Sequence, residues 1–214
     1  MNEPIKTGKH PKALYVLFFT EMWERFAYYL MVGILFLYLI DTTTGGKGFS
    51  QNIGADIVGS FIALVYLTPF IGGLVADRIL GYTKSIFLGG SLMALGYFCL
   101  SVPGNTALFG GLALIIVGNG FFKPNISSMV SNLYPKSERN KLDTAFTIFY
   151  MGINLGGAIG PFICGLVGNT GNPADFKWAF LVAAIGMVIS VIIQVVFHRK
   201  YVTDPDNNIL GMIP

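Results

Sequence analysis

Three ionisable residues lie within the first long apolar stretch of the sequence, residues 14–40. They are Glu21, Glu24 and Arg25, and no other charged residue lies in this stretch. A helix over it would be roughly 40 Å long, enough to cross a lipid bilayer. Charges at that depth are costly and usually functional, and their i, i+3, i+4 spacing lets Arg25 neutralise Glu21. The alternative, a structural ion pair, leaves the second acid and the two tyrosines that follow unexplained.

A second intramembrane charge, Lys123, lies in the fourth apolar stretch. Pro124 leaves the carbonyl of Gly120 without its helical partner, which predicts a bend beside Lys123. On antiparallel helices 1 and 4, Glu21 and Lys123 would both lie roughly 11 Å from the same membrane face. Charges at that depth must pair or face water, so the sequence predicts a shared polar cavity. The alternative for Lys123 is that its ammonium reaches the interface along its flexible side chain.

The composition indicates a membrane protein with several spans. Of the 214 residues, 53% are hydrophobic and 12% are charged, and the mean hydropathy is +0.64. Soluble domains contain about twice that charged fraction. The two histidines and two cysteines are too scattered for a metal site, and no basic stripe predicts nucleic-acid binding. With no nucleophile–base pair or phosphate loop in the apolar stretches, the sequence does not predict an enzyme.

The hydropathy predicts an all-α bundle of six transmembrane helices between an N-terminal segment, 1–13, and a C-terminal linker, 199–214. The predicted spans are about 14–40, 54–77, 84–102, 106–131, 142–168 and 177–198. Ten of the fourteen lysines and arginines fall on the side of the N-terminus and two on the opposite side. The remaining two are Arg25 and Lys123, within spans. This asymmetry predicts that both termini are cytoplasmic. The predicted location is the plasma membrane.

The first span resembles the ExxERFxYY motif of the proton-dependent oligopeptide transporter family, within the major facilitator superfamily. All six defining positions match: Glu21, Glu24, Arg25, Phe26, Tyr28 and Tyr29. The segment after span 2 is similar to the superfamily loop between helices 2 and 3. Its matching residues are Gly73, Asp77, Arg78, Gly81 and Lys84.

The resemblance continues in the later spans. Span 4 contains Phe-Lys-Pro-Asn around Lys123, a motif of the family. Span 5 matches the family's helix 5 at Phe149, Tyr150, Asn154 and Gly156. The glycines at 152, 156 and 160 are also spaced to let a neighbouring helix approach closely.

The resemblance implies the N-terminal six-helix half of a twelve-helix major facilitator fold, built as a 3+3 inverted repeat. A C-terminal half would belong to the same chain or act in trans. The implied function is proton-coupled uptake of di- and tripeptides by alternating access, with the proton as coupling ion and no other cofactor. The implied proton-coupling residues are Glu21 and Glu24. The implied substrate-binding residues are Arg25, Tyr28, Tyr29, Tyr66, Lys123 and Asn154. The implied gating residues are Gly73, Asp77, Arg78 and Gly81.

One departure from the family pattern leaves alternatives open. Many peptide-transporting relatives have an arginine three residues after the tyrosine pair, where this sequence has Val32. The chain is therefore also compatible with proton-coupled transport of a non-peptide small anion or amino-acid derivative. A non-transporting membrane partner subunit is a further alternative. Asn154 is equally compatible with a hydrogen bond between helices and with a role in ligand binding.

Overall fold

The computed structural model describes residues 10–42, 45–134, 136–168, 170–172, 174–202 and 210–211. In this part of the chain, six helices are long and apolar enough to cross a membrane. They are α1 (Lys12–Ile40), α2 (Gln51–Val75), α3 (Tyr82–Leu100), α4 (Asn105–Asn132), α5 (Leu142–Val167) and α6 (Asp175–Tyr201). A π-helical turn, Ala76–Leu80, extends α2, and a 3-10 segment, Lys136–Lys141, precedes α5. The predicted all-α architecture of six spans is confirmed.

Each predicted span overlaps one helix, and the largest difference at a helix start, at α2, has a polar cause. Helix α2 begins at Gln51, before its apolar stretch, because the Ser50 hydroxyl accepts a hydrogen bond from the Ile53 amide at 3.4 Å. Helix α6 begins at Asp175, whose carboxylate accepts hydrogen bonds from the amides of Thr170 and Gly171 at 2.7 and 2.9 Å. Hydropathy marks the apolar part of a helix, whereas these polar contacts stabilise its end.

The pairs of helices that pack together support the predicted inverted repeat. Helix α1 packs against α5 and α6, α4 packs against α2 and α3, and α3 packs against α6. Exchanging the first three helices with the last three converts this set of pairs into itself. Such a pattern is expected when two three-helix units are related by a pseudo-twofold axis in the membrane plane.

Glycines produce the closest helix contacts in both halves of this repeat. A Cβ atom on Gly72 of α2 would collide with the Gly120 carbonyl of α4, the group that Pro124 deprives of its helical donor. On α5, a Cβ atom on Gly156 would collide with the Met22 carbonyl of α1, and one on Gly160 would lie 2.7 Å from the carbonyl oxygen of Phe26. The predicted packing role of the α5 glycines is confirmed.

The helices differ in how much of their surface the bundle covers. Within the apolar windows, 61% of residues are buried for α1, but only 17% for the helix formed by α2 and its π-helical turn. The corresponding fraction for α5 with its preceding segment is 22%. Helix α1, which contains the three predicted intramembrane charges, is therefore the central helix. Helices α2 and α5 present apolar faces to the outside.

Candidate functional site

The charges of α1 form one buried cluster. The exposed fractions of Glu21, Glu24 and Arg25 are 1%, 0% and 3%. Arg25 Nη2 donates to Glu24 Oε1 at 2.7 Å, and Arg25 Nε donates to the other oxygen of the same carboxylate. Arg25 Nε also lies 3.2 Å from Glu21 Oε1, which confirms the predicted i, i+4 pair. With both acids ionised, the cluster has a formal charge of −1.

Glu24 is the stronger partner of Arg25, which the sequence did not predict. Neighbouring residues do not face each other on a helix, so the spacing favoured Glu21 as the partner. The guanidinium instead folds back so that two of its nitrogens bind the Glu24 carboxylate. Glu21 retains one oxygen, Oε2, that is buried and has no hydrogen-bond partner in the described part of the chain. The two acids are therefore not equivalent.

Asn119 ties this cluster to two other helices and was not predicted as a site residue. Its Oδ1 accepts a hydrogen bond from Arg25 Nη2 at 3.4 Å, and its Nδ2 donates to the Val65 carbonyl at 3.0 Å. This fully buried amide thus joins α1, α4 and α2. The available signal was a polar residue within an apolar span, one turn before Lys123.

Tyr97 of α3 is a second residue that the sequence analysis missed. Its side chain is fully buried, and its hydroxyl has no hydrogen-bond partner among the described residues. It lies close enough to Glu24 and Arg25 for direct electrostatic interaction. No local pattern distinguishes this tyrosine, because its position depends on how α3 packs beside α1.

The predicted aromatic residues lie on one side of the cluster. The Arg25 guanidinium carbon lies 5.0 Å from the centroid of the Tyr28 ring, a cation–π contact. Tyr28 also contacts Tyr29 edge-to-face, with ring centroids 5.5 Å apart, and stacks on Phe61 of α2. Tyr28 is buried, whereas Tyr29 is exposed at the edge of the bundle.

Lys123 lies beside the cluster without joining it. Its Nζ is 5.3 Å from the centroid of the Tyr66 ring, and Lys123 is partly buried. It is close enough to Glu21, Glu24 and Arg25 for direct electrostatic interaction. No ion pair joins it to another residue in the described ranges. The structure thus places a cation next to a cluster of the opposite formal charge. The shared polar cavity that the depth comparison predicted stays a prediction.

The remaining predicted site residues lie elsewhere. Asn154 is exposed on α5, and no hydrogen bond in the described part of the chain connects it to the cluster. Asp77 and Arg78 are exposed in the π-helical turn. Gly81 follows that turn with a φ of 74°, which favours glycine. A Cβ on Gly73 would lie 3.7 Å from Pro124, so α2 and α4 pack closely near Lys123.

The family assignment follows from comparison with known proteins. The sequence model of the POT family, PTR2, matches residues 83–212. The chain belongs to the POT family. Because this is a family of transporters and six helices can cross a membrane, the chain is a multi-pass membrane protein.

Named POT relatives match most of this chain. The Di-/tripeptide transporter of Lactococcus lactis subsp. lactis (strain IL1403) is 47% identical over 85% of this chain and 36% of its own length. The Uncharacterized transporter YclF of Bacillus subtilis (strain 168) is 42% identical over 89% of this chain and 38% of its own length. The chain thus spans a little over a third of the length of these relatives.

Solved structures of POT transporters confirm the fold. The crystal structure of peptide transporter POT in complex with sulfate matches 99% of this chain with a TM-score of 0.87 and 37% identity. A POT family transporter in complex with 5-aminolevulinic acid matches 96% of it with a TM-score of 0.88 and 38% identity. The chain covers 42% and 41% of those two chains. The predicted N-terminal half of a major facilitator fold is therefore confirmed.

Proposed function

We propose that this chain forms the N-terminal half of a proton-coupled symporter that takes up di- and tripeptides by alternating access. The observation that supports this function best is the buried cluster of two acids and one base beside Lys123, which forms no ion pair in the described part of the chain. A zwitterionic peptide has a carboxylate for Lys123, and the cluster can gain a proton without gaining net positive charge. Relatives named for di- and tripeptide transport agree with this substrate class.

In this proposal the two acids have different roles, which their different contacts with Arg25 support. Glu21 is the first proton acceptor, because its Oε2 is unpaired and its contact with Arg25 is the longer one. A proton on Glu21 neutralises the cluster but leaves Arg25 bound by both oxygens of Glu24. Arg25 becomes free for a substrate carboxylate only when Glu24 is also protonated or displaced. Lys123 is therefore the first contact of the substrate carboxylate, with Tyr66 beside it.

The other predicted ligands and gating residues belong to the same proposal. Tyr28 and Tyr29 contribute hydroxyls and ring surface next to Arg25, and Asn154 contributes an exposed amide from α5. The π-helical turn and Gly81 act in gating, since they connect α2 to α3 at the end of the bundle where α1 begins. We propose no cofactor besides the proton, and no enzymatic reaction.

The exposed apolar faces of α2 and α5 support a second six-helix half as the partner, in the same chain or in trans. In this arrangement the amino end of the peptide faces that half. We further propose that the transporter lies in the plasma membrane with both ends of this bundle's chain in the cytoplasm, as the lysine and arginine asymmetry indicates.

One observation favours a second candidate function. A matching POT family transporter was solved in complex with 5-aminolevulinic acid, which is an amino-acid derivative and not a peptide. Together with Val32, this supports a non-peptide small anion or amino-acid derivative as the alternative substrate class. A non-transporting membrane partner subunit would not need Glu21 or Lys123.

The decisive experiment is uptake of labelled dialanine into proteoliposomes, using the complete reading frame that contains this chain and an acidic outside buffer. We expect uptake to require the proton gradient and to be lost in Glu21→Gln and Lys123→Ala. Asp143→Asn and Lys177→Ala are matched controls, because both residues are exposed and remote from the cluster. Their uptake should equal that of the parent protein.

Other outcomes would redirect or reject the proposal. No dialanine uptake, with uptake of 5-aminolevulinic acid under the same gradient, would replace the peptide by the alternative substrate class. Uptake that survives both Glu21→Gln and Lys123→Ala would exclude these two residues from coupling and binding. No gradient-driven uptake of either compound by a well-inserted protein would support the partner-subunit alternative.

A further inference from the structure

A pocket between α3 and α6 lies apart from the charged cluster. It has a volume of about 320 Å³ and lies at the end of the bundle where α3 begins and α6 ends. Its lining residues are spaced i, i+1, i+4 on α3 and i, i+1, i+4, i+5 on α6. That spacing places one face of each helix on the pocket, so the two helices form its two walls.

Two cations lie at the outer end of this pocket. Lys84 is in the first turn of α3, and Arg199 is in the last turn of α6. Both side chains are exposed, and neither forms an ion pair within the described ranges. Two unpaired cations on facing helices create a site of positive charge that favours an anion. Arginine in particular can donate two parallel hydrogen bonds to a phosphate.

The pocket becomes apolar one helical turn deeper. Phe87 follows Lys84 on α3, and Val195 precedes Arg199 on α6, each by about one turn, or roughly 5 Å. Their exposed fractions are 49% and 50%, so both present apolar surface to the outside of the bundle. The pocket is therefore amphipathic, with cations near the membrane face and apolar side chains towards the membrane interior.

Buried polar residues hold the two walls of the pocket together. The Nε2 atom of His198 lies 3.0 Å from Thr83 Oγ1, and its Nδ1 lies 3.0 Å from Gln194 Nε2. The exposed fractions of Gln194 and His198 are 2% and 3%. Thr20 of α1 donates to Gln194 Oε1 at 3.4 Å, which anchors the network in the bundle. Thr83 Oγ1 also donates to the Leu210 carbonyl at 2.8 Å, so the described C-terminal residues contact the same groups. The polar groups that join the two walls are thus hydrogen-bonded within the protein.

From these observations we infer that the α3–α6 pocket binds an anionic phospholipid. The phosphate lies between Lys84 and Arg199, and the first part of an acyl chain lies against Phe87 and Val195. Basic pockets between transmembrane helices bind anionic headgroups in this manner. A soluble phosphate would use the two cations but would gain nothing from the apolar wall. This inference is independent of the transported substrate.

The test is native mass spectrometry of the purified full-length protein in detergent. Phosphatidylglycerol and phosphatidylcholine with identical acyl chains are titrated separately, and bound lipid is counted. We expect phosphatidylglycerol to bind at least about tenfold more tightly, and Lys84→Gln/Arg199→Gln to remove this preference. Because both cations are exposed, the double variant should keep the elution volume and Tm of the parent.

Two further variants distinguish the pocket from general surface charge. Lys12→Gln/Arg139→Gln removes the same charge from exposed positions at the same end of the bundle, and should retain the lipid preference. Val195→Trp leaves both cations in place and fills the apolar wall, and should weaken phosphatidylglycerol binding severalfold. Equal effects of the two double variants, or no effect of Val195→Trp, would overturn the inference in favour of surface attraction alone.

Two further measurements ask whether other anions compete with the lipid for this site. Asp204 and Asp206 lie in segment 203–209, outside the described residues, and are the acidic residues nearest to Arg199 in the sequence. Asp204→Asn/Asp206→Asn should therefore leave phosphatidylglycerol binding unchanged or stronger, and a loss would contradict the inference. Inorganic phosphate at the lipid concentration should not displace the lipid. Full displacement would identify a site for a free anion instead.

Discussion

Arg25 determines how the three charges of α1 coexist in an apolar helix. Its guanidinium binds two carboxylates, contacts the Tyr28 ring and donates to Asn119. A buried charge is tolerated when it is paired and hydrogen-bonded, and its partner becomes costly when the pair is broken. The stability of this region and its proposed chemistry therefore depend on the same side chain.

We predict that Arg25→Ala strongly destabilises the protein, because it leaves Glu21 and Glu24 buried without a counter-charge. The expected loss in the free energy of unfolding is about 3 kcal/mol or more, measured by thermal unfolding of purified protein in detergent. Adding Glu24→Gln should recover a substantial part of that loss, since it removes one of the two unpaired acids. The control is Arg139→Ala, at an exposed position, with a change under about 0.5 kcal/mol.

The double variant makes this prediction specific. If Glu24→Gln fails to improve the stability of Arg25→Ala, the cost lies in lost packing around the guanidinium, and charge pairing is not the cause. The stability should also improve as pH falls in the Arg25→Ala protein, because protonation removes the same buried charges that the substitution leaves unpaired.

For individual residues, the sequence predicted the ion pair of Arg25 with Glu21 but not the other partners of Arg25. The i, i+4 spacing was enough to predict Arg25 with Glu21, because helix geometry fixes that neighbour relation. The contacts to Glu24 and Asn119 depend on the rotamer of Arg25 and on the placement of α4, and local spacing determines neither. Tyr97 was missed for the same reason, since it comes from a third helix.

Among the helices, α5 positions the charged segment of α1 through its glycines. Gly156 packs directly on the backbone at Met22 and approaches Arg25, where a Cβ would lie 3.1 Å from that of the arginine. Gly165 lies on the same helix, about two and a half turns towards its C-terminus, and a Cβ atom there would meet no atom of a neighbouring element within 4 Å. The two glycines lie on the same helix, but only Gly156 contacts a neighbouring helix, so they form a matched pair for substitution.

We predict that Gly156→Ala destabilises the protein by about 1–3 kcal/mol, because the added methyl group must separate α5 from α1. Gly165→Ala should be neutral or slightly stabilising, since alanine has the higher helix propensity and meets nothing. Thermal unfolding in detergent measures both, and gradient-driven uptake should fall only in Gly156→Ala. Equal stability of the two variants would show that the α1–α5 contact is not limiting.

Element bounds were predictable to the extent that they depend on hydropathy. The apolar stretches marked all six helices, while the contact of Ser50 with the Ile53 amide stabilises the start of α2 ahead of its apolar stretch. The π-helical turn Ala76–Leu80 was not predicted. Its sequence was recognised as a connection between helices, but a local change in helical pitch depends on how α2 packs on α4 and has no periodicity signal.

For the whole molecule, the inverted repeat relates α1, which holds the three-charge cluster, to α4, which holds Lys123. The two helices occupy equivalent positions under the exchange of the two three-helix units, and each packs against two helices of the opposite unit. Because the exchange inverts depth in the membrane, Glu21 and Lys123, which lie towards the same membrane face, are not equivalent positions of the repeat. The sequence predicted their similar depth, whereas the set of packed helix pairs could be established only from the structure.

The membrane orientation of the whole bundle can be tested directly. Structure and sequence agree that the connections alternate between two ends, and lysines and arginines are concentrated at the end where α1 begins. We expect that end to be cytoplasmic. In a Cys99→Ala/Cys164→Ala background, Thr42→Cys should react with a membrane-impermeant maleimide added to intact cells, because Thr42 is exposed beyond the far end of α1. Arg139→Cys should react only after the cells are permeabilised.

The Cys99→Ala/Cys164→Ala background without an added cysteine is the control for labelling of other thiols. Labelling of Arg139→Cys alone in intact cells would show that the bundle has the opposite orientation. The end of the bundle where α1 begins would then face outwards. Labelling at both positions in intact cells would indicate mixed insertion, in which case the basic residues at the α1 end do not fix orientation. A proton gradient has a direction across the membrane. The orientation of the protein must therefore be known before gradient-driven uptake can be interpreted.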